Sequence, residues 1–475
     1  MHDREESGMK KWLWLITACL LIVGIFLAGC GPSKGQVASQ IAIAATTTFK
    51  DSPTVTHTPS FTTTPTITQT SIPTPSPPTP ESIADVKDLS KWVDDYVHAY
   101  SDKVTVNGVD MDANRLTDEI RKNSQTLIQA KQVNSVEFAF LVVNGVPLAV
   151  LNNGKWENRG IISELFLSKG ILFGFPYDME NNPYRKIVRP PNDIVGNYSK
   201  ISFPEDSFYQ DFTFSPKSIK PNWDNIDEYL EFVKKYNLDA GAPFIYWISL
   251  TNGYTTDNPK LLQERTKLIV EHCKDTIHAW TVNEIFDDNG KPKSTNTLEN
   301  VRLVIKTIRD NDPDAKIVIN DSGLEWTPKK DKAYFNFIEQ LFDEGLLHKG
   351  DIVGNQGHNG IGYNKSPQDI TNWFNKYAEI GINLRFTETD VFDVTKMSVS
   401  NEKKKAEIFL TYYRAGIILN NKFERTVLDA FIVYGSTNSS SWLRDLGRNE
   451  YPVLLDDEGR PLLSYYLIIK ALFEE

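Results

Sequence analysis

The chain has 475 residues, of which 40% are hydrophobic and 11% aromatic, enough for a large buried core and two or three domains. A net charge of −11 argues against nucleic acid or an anionic membrane surface as the main partner, and favours a neutral or cationic substrate. The cysteines (Cys19, Cys30 and Cys273) and the seven scattered histidines form no cluster with metal-ligand spacing, so no metal site is predicted.

The N-terminus carries a targeting pattern. Two lysines, Lys10 and Lys11, precede an apolar run from Trp12 to Gly29. The run ends in Leu27-Ala28-Gly29-Cys30, which resembles the bacterial lipobox, where the cysteine becomes the first mature residue and carries the lipid. We therefore predict a lipoprotein signal peptide over residues 1–30, lipid attachment at Cys30, and a location on the extracellular face of the cell membrane. A plain signal anchor is the alternative.

Residues 31–80 are predicted to be a disordered linker, because Thr, Pro and Ser dominate them and cannot bury apolar surface. Residues 81–169 are predicted to be a small accessory α+β region whose role no motif indicates. A helical pattern opens at Leu89, and two apolar runs flank Asn144-Gly145, a dipeptide typical of a two-residue β-hairpin.

From Gly170 onward, short apolar runs alternate with amphipathic helical patterns. In one of these, Ile226, Tyr229, Leu230 and Val233 follow the helical spacing i, i+3, i+4, i+7. The eight predicted strands are Ile171–Phe175, Tyr198–Phe203, Gly241–Ile248, Ile277–Val282, Lys316–Asn320, Ile352–Gln356, Asn383–Thr387 and Thr426–Val433. This alternation predicts an α/β fold, a (β/α)8 TIM barrel over residues 170–475. An open doubly wound sheet is the competing architecture, weakened because no Gly-rich phosphate loop follows the first strand.

Polar residues cluster at the ends of four successive predicted strands. They are Asn283-Glu284, Asn320-Asp321, Gln356-Gly357-His358 and Glu388-Thr389-Asp390. Catalytic residues of a barrel lie at the C-terminal ends of its strands, so these ends predict the active site. Two strand-end glutamates fit a two-carboxylate site.

The residues around these ends resemble family 10 glycoside hydrolases, the xylanases of the large Glu/Glu barrel clan. Trp280–Glu284 is similar to that family's W-D-V-V-N-E segment. Four further segments match its motifs in the same order: Asp312–Asp321, Gly354–His358, Phe386–Asp390, and Gly435–Trp442 followed by Leu454–Asp456. The similarity spans about residues 170–475.

The resemblance implies that Glu284 is the general acid/base and Glu388 the nucleophile of a retaining mechanism. Glu388 must then be ionised, whereas Glu284 must begin protonated. It further implies that substrate-binding residues are Asn283, Gln356, His358, Glu205, Tyr434 and Trp442. Among these, Asn283 would hydrogen-bond the sugar 2-hydroxyl.

Each assignment has a purely structural alternative. The two glutamates could form a structural pair balanced by Arg385, and His358 or Trp442 could be core residues only.

Departures from the family's motifs concentrate in the second and third strands. The motif E-N-x-x-K corresponds to Glu205–Tyr209, in which Asp206 replaces the amide and Tyr209 the lysine. The motif G-H-x-x-x-W-H corresponds to Gly241–Trp247 and lacks its first histidine. The catalytic pair is therefore expected in a rebuilt glycone pocket.

These observations predict a surface-displayed, monomeric glycosidase that cleaves internal β-1,4 bonds of xylan or a related plant polysaccharide. No cofactor is implied, because the protein supplies both carboxylates and the reaction needs only water. Two alternatives stay open. One is a glycan-binding lipoprotein that has lost turnover, and the other is a clan relative acting on another β-glycan.

Overall fold

The computed structural model describes residues 82–133, 136–152, 154–158, 161–176, 200–202, 223–240, 244–247, 258–294 and 297–475. The predicted signal peptide with Cys30, the predicted linker and Glu205 lie outside these residues. Within the described ranges, every helix is too short or too polar to span a bilayer.

The first described part is the predicted α+β region. It contains a 3-10 turn (Ile83–Asp85), α1 (Leu89–Ala99), β1 (Val104–Val106), β2 (Val109–Met111), α2 (Ala113–Leu127), β3 (Ile128–Val133), β4 (Val136–Val143), β5 (Val146–Asn152) and β6 (Lys155–Glu157). Strands β3 to β6 form one antiparallel sheet. The predicted hairpin is confirmed, since Asn144 and Gly145 join β4 to β5 with φ of 53° and 78°, as a type I′ turn requires.

All eight predicted barrel strands are confirmed. After α3 (Ile161–Leu167) they are β7 (Leu172–Pro176), β8 (Lys200–Ser202), β9 (Asp239–Ala240) with β10 (Phe244–Trp247), β11 (Ala279–Asn283), β12 (Lys316–Asp321), β13 (Ile352–Asn355) with β14 (His358–Gly360), β15 (Asn383–Phe392) and β16 (Leu428–Val433). The helices between and after them are α4 (Asp224–Tyr236), α5 (Pro259–Cys273), α6 (Thr297–Asn311), α7 (Pro328–Asp343), α8 (Pro367–Glu379), α9 (Val399–Phe423), α10 (Trp442–Asp445) and α11 (Leu463–Glu474), with a 3-10 turn at Asn438–Ser440.

The strand order establishes a barrel. The pairing runs β10-β11-β12-β13-β15-β16-β7-β8-β9, every pair parallel. The strand β10 lies within the third predicted strand, Gly241–Ile248, and β9 directly precedes it, so this part of the chain pairs with β8 on one side and β11 on the other. Each strand therefore neighbours the next one in sequence, and the alternative of an open doubly wound sheet is wrong.

The helices cover this ring with the apolar faces that the sequence predicts. In α6 the residues Val301, Val304, Ile305 and Ile308 are fully buried at the spacing i, i+3, i+4, i+7. Full burial of one such side chain contributes about 1.5–3 kcal/mol. The face therefore anchors the helix, and with it the loop that follows β11.

The accessory region packs on the last barrel helix. Phe140 of β4 lies 5.2 Å from Phe473, and Tyr96 of α1 lies 5.1 Å from Tyr466, both centroid distances. One continuous cluster of buried apolar side chains includes residues of both parts. A domain boundary at residues 169/170 stays a prediction.

Candidate active site

Backbone hydrogen bonds bring the polar strand ends together on one rim of the barrel. The Glu284 N–H donates to the Asn320 carbonyl at 2.9 Å, and the Gln356 N–H to the Asp321 carbonyl at 3.1 Å. The Glu388 N–H donates to the Gln356 carbonyl at 2.9 Å. The barrel's parallel hydrogen bonding thus continues through the strand ends, which fixes the backbone beneath both glutamates.

Glu388 is held by buried donors. Its side chain is 2% exposed, and its Oε1 accepts a hydrogen bond from Asn320 Nδ2 at 2.9 Å. The Thr387 hydroxyl donates to Asn320 Oδ1 at 2.7 Å, which orients the amide with its nitrogen toward Glu388. An amide donor aimed at a buried carboxylate stabilises the ionised form that a nucleophile needs.

The same amide also orients Asn283. Asn320 Nδ2 donates to Asn283 Oδ1 at 2.9 Å, so the Asn283 nitrogen points away from Asn320. That nitrogen, Nδ2, is buried and has no hydrogen-bond partner among the described residues. A buried donor without a partner is costly, and it is able to donate to the hydroxyl of a bound ligand.

His358 lies between two carboxylates. Its Nδ1 is 2.9 Å from Asp390 Oδ1 and its Nε2 is 3.3 Å from Glu388 Oε2. Burial acts to lower the pKa of His358, but Asp390 and Glu388 together raise it well above the usual 6.5. The imidazolium therefore offsets the negative charge beside Glu388.

Aromatic side chains fix this histidine. The half-buried Trp442 donates its indole N–H to Asp390 Oδ2 at 2.7 Å, with its ring 5.2 Å from His358. The buried Tyr434 packs edge-on at 5.3 Å from the imidazole. Both predicted sugar-binding aromatics thus contact the histidine that contacts Glu388, and their contact with a sugar stays a prediction.

Glu284 has a different environment. Its backbone is left-handed, with φ of 54°, a strained conformation that persists where surrounding structure enforces it and is common at functional sites. Its side chain is 21% exposed, and its Oε1 accepts from Gln356 Nε2 at 3.2 Å. Its other oxygen, Oε2, forms an ion pair with Lys293.

Lys293 was not predicted from the sequence, although a local signal was present. Asp287-Asp288-Asn289-Gly290 is a turn sequence, and Asp287 Oδ1 accepts from the N–H groups of Asn289 and Lys291 at 2.9 and 2.8 Å. The turn folds the chain back so that the Lys293 N–H donates to the Ile285 carbonyl at 3.0 Å. The turn thereby brings the ammonium of Lys293, nine residues after Glu284, into contact with the Glu284 carboxylate.

Asp321 supports the start of this loop. It is fully buried, pairs with Lys330 at 2.7 Å, and accepts from the N–H groups of Ile285 and Phe286 at 3.1 and 3.2 Å. Burial raises the pKa of Asp321, while Lys330 and these backbone donors act in the opposite direction. Its role is to position the chain directly after Glu284.

Arg385 does not balance the two glutamates, so that alternative is wrong. Its Nε donates to Asp429 Oδ1 at 3.0 Å, and the guanidinium forms a buried two-point ion pair with that carboxylate. His358 contacts Glu388 directly, and its binding of a substrate stays a prediction. Among the described residues, no group of three His, Cys, Asp or Glu side chains is placed to hold a metal ion.

Comparison with known proteins adds independent findings. The family model described as Glycosyl hydrolase family 10 matches residues 195–471. The chain is 25% identical over 397 residues to endo-1,4-beta-xylanase A of Halalkalibacterium halodurans, covering 72% of this chain and 99% of that protein.

A second relative is much longer than the matched segment. Endo-1,4-beta-xylanase C of Paenibacillus barcinonensis is 24% identical over 313 residues, which cover 58% of this chain but only 28% of that protein. Among solved structures, xylanase 10B from Thermotoga petrophila RKU-1 in complex with xylobiose superposes with a TM-score of 0.56 at 22% identity. That match covers 66% of this chain and 97% of the xylanase, and it shows the shared barrel fold.

Proposed function

Because the chain belongs to glycosyl hydrolase family 10, we propose that it is a retaining glycoside hydrolase acting on internal β-1,4 bonds of xylan or a related plant polysaccharide. The observation that carries this proposal is a pair of glutamates in unlike environments, Glu284 directly after β11 and Glu388 within β15. Glu388 is 2% exposed and accepts a hydrogen bond from the buried Asn320, whereas Glu284 is 21% exposed and contacts Gln356 and the ammonium of Lys293.

The first step uses each glutamate in one protonation state. The ionised Glu388 attacks the anomeric carbon, and Glu284 gives its proton to the glycosidic oxygen as the bond breaks. Asn320 and His358 contact the two oxygens of Glu388 and hold the carboxylate in position for this attack. The Asn283 nitrogen, which donates to no described residue, supplies the hydrogen bond to the sugar 2-hydroxyl.

The second step reverses the proton transfer. Glu284, now ionised, accepts a proton from the water that attacks the anomeric carbon and releases Glu388. Lys293 and Gln356 both contact Glu284 and stabilise it in this ionised form. The Lys293 contact therefore favours the second step. It opposes the first step, in which Glu284 must be protonated, unless the ammonium moves away from the carboxyl group on protonation.

Support for the substrate class comes from the relatives, whose names describe endo-1,4-beta-xylanases. The substituted motif around Asp206 and Tyr209 implies that the glycone pocket differs from the family's pattern. We further propose that the lipobox at Cys30 anchors the protein on the outer face of the membrane, with the Thr/Pro/Ser-rich segment as a spacer.

The test is hydrolysis of soluble β-xylan and mixed-linkage β-glucan by the purified full-length protein, with Glu284→Ala and Glu388→Ala as paired variants. We expect reducing ends from xylan, retention of the anomeric configuration by NMR, and loss of turnover in both variants. Azide should partly rescue Glu388→Ala with inverted product, and rescue Glu284→Ala only on substrates with good leaving groups. Hydrolysis that persists in both variants would refute the assignment.

The Lys293 ion pair favours one second candidate, a glycan-binding lipoprotein without turnover. A carboxylate held ionised by an ammonium is a poor proton donor, so catalysis would fail while the sugar contacts remained. Binding of xylan by the wild-type protein, without any release of reducing ends from either polysaccharide, would establish this candidate in place of the first.

A further inference from the structure

A cavity that the barrel chemistry does not use lies between the accessory region and the C-terminal part of the chain. It has a volume of about 690 Å³ and lies among α1, β5, β6, α3 and α11. None of its lining residues is a barrel strand-end residue. A cavity of this size accommodates a ligand of about two or three sugar units.

Two carboxylates line the cavity, Asp95 of α1, which is 7% exposed, and Glu164 of α3, which is partly exposed. Neither forms a side-chain hydrogen bond or ion pair with any described residue, although Lys91 and Arg460 attract Asp95 from a longer distance. Burial raises the pKa of both carboxyl groups. Their oxygens are therefore able to accept hydrogen bonds from the hydroxyl groups of a ligand in the cavity.

The walls around these carboxylates are aromatic. Trp92, Trp156, Tyr465 and Tyr466 contribute to the lining, and each is largely buried. Aromatic rings provide flat apolar contact for the C–H faces of a sugar ring, while carboxylates and amides bind its hydroxyls. Apolar rings beside buried acceptors suit a ligand that is apolar on its faces and polar at its edges.

The charges of the lining narrow the ligand class. Four acidic residues, Asp88, Asp95, Glu157 and Glu164, disfavour an anion. A cation is less well matched than a neutral ligand, since Lys91 lies in the lining and both Lys91 and Arg460 already act to lower the pKa of Asp95 against burial. Together with Asn152 and Asn158, the cavity offers both donors and acceptors, as a neutral polyhydroxyl ligand requires.

We propose that this cavity is a second glycan-binding site, which takes a short neutral oligosaccharide through Asp95, Glu164 and the surrounding aromatic side chains. The accessory region would then hold polysaccharide near the barrel without taking part in catalysis. We choose xylose oligomers as the first probe because of the proposed function. The binding chemistry of the cavity does not depend on that function.

The experiment is isothermal titration calorimetry of the full-length protein carrying Glu388→Gln, so that substrate is bound but not turned over. Xylotriose and cellotriose are the glycan probes, and tetramethylammonium is the cation probe. We expect two binding events with one of the trisaccharides. Adding Asp95→Asn should weaken one event by about tenfold or more, because an NH2 donor replaces one carboxylate oxygen and the negative charge that strengthens its hydrogen bonds is lost.

Two matched variants make the result specific. Asp94→Asn removes the neighbouring acid of the same helix, which is exposed and outside the cavity lining, and should leave both events unchanged. Glu164→Gln should weaken the same event as Asp95→Asn, which keeps the proposal testable if one variant folds poorly. In the catalytically intact protein, both cavity variants should retain wild-type kcat/KM on a short aryl β-xyloside.

The outcomes separate this inference from the proposed function. A single event insensitive to Asp95→Asn and Glu164→Gln overturns the second site, even if xylan is hydrolysed. A glycan event sensitive to both variants supports the second site, even if no polysaccharide is cut. Binding of tetramethylammonium, but of neither trisaccharide, in an Asp95-dependent manner would overturn the proposal in favour of a cation site.

Discussion

Replacing Gly354 by alanine tests whether Asn320 must be held in place for Glu388 to act. Gly354 is the register partner of Asn320 between β13 and β12. A Cβ at position 354 would lie 2.4 Å from Asn320 Oδ1 and 3.0 Å from its Cγ. The amide would have to turn or shift, although the backbone at Gly354 itself suits any residue.

The size of the effect follows from the contacts that a displaced amide loses. Asn320 donates to Glu388 at 2.9 Å and accepts from Thr387 at 2.7 Å. A hydrogen bond to a charged group contributes about 1.5–3 kcal/mol, which corresponds to a fall in kcat/KM of roughly 10- to 150-fold if it is lost before the transition state. Overpacking should also lower the free energy of unfolding by about 1–3 kcal/mol.

The assay is kcat/KM on an aryl β-xylobioside, with thermal unfolding measured on the same preparation. Gly362→Ala is the control, because nothing lies within 4 Å of a Cβ there. If the loss acts through Asn320, the double variant Gly354→Ala/Asn320→Ala should be no slower than Asn320→Ala alone. A folded Gly354→Ala protein within about twofold of wild-type kcat/KM would refute the reasoning.

Three further predictions follow from single contacts, and one from burial. Burial acts to lower the pKa of His358, but Asp390 and Glu388 raise it well above 6.5 overall. The stability that the charged imidazole contributes is therefore complete below about pH 6.5, and it is lost as the pH rises through the pKa of the folded state. In urea unfolding, His358→Asn should reduce this loss of stability at alkaline pH, and an unchanged dependence of the unfolding free energy on pH would contradict the prediction. Lys293→Met should move the alkaline limb of the kcat/KM profile to higher pH, since an ammonium favouring ionised Glu284 is removed; a shift to lower pH would count against this. Arg385→Met should cost about 3–5 kcal/mol of unfolding free energy by removing the guanidinium that pairs with the buried Asp429, and adding Asp429→Leu should recover most of it. Cys273 is 1% exposed and burial raises its thiol pKa, so it should react with a disulfide reagent only upon unfolding; rapid labelling of the native protein would contradict this.

The barrel could be predicted because its elements are encoded locally. Apolar periodicity marks helices such as α6, and apolar runs mark the strands. The predicted third strand, Gly241–Ile248, contains β10, which pairs with β11, and it is preceded by β9, which pairs with β8. Such pairing depends on the partner strands β8 and β11, which a single run does not contain.

The positions of the two glutamates could be predicted from the sequence, whereas the contacts around them could not. Glu284 and Glu388 both follow apolar runs, so the local sequence predicts a strand before each of them, although β15 continues past Glu388 to Phe392. The bridge that Asn320 makes between Asn283 and Glu388 depends on cross-strand register, which local sequence does not specify. The position of Lys293 could be predicted only in part. The Asp287–Gly290 turn indicates that the chain folds back toward β11, but it does not indicate where the ammonium lies.

The asymmetry of the two glutamates gives a physical reason for their roles that does not depend on resemblance. A nucleophile starts each cycle ionised and must be aimed, which suits Glu388, 2% exposed between an oriented amide and a charged histidine. A general acid/base must lose and regain a proton in every cycle. Glu284 is 21% exposed, so solvent reaches its carboxyl group, and it contacts Lys293 and Gln356. If the two roles were exchanged, the buried Glu388 would have to exchange protons with the substrate and water, and the more exposed Glu284 would have to be held in a fixed orientation for attack. The observed contacts disfavour this exchange.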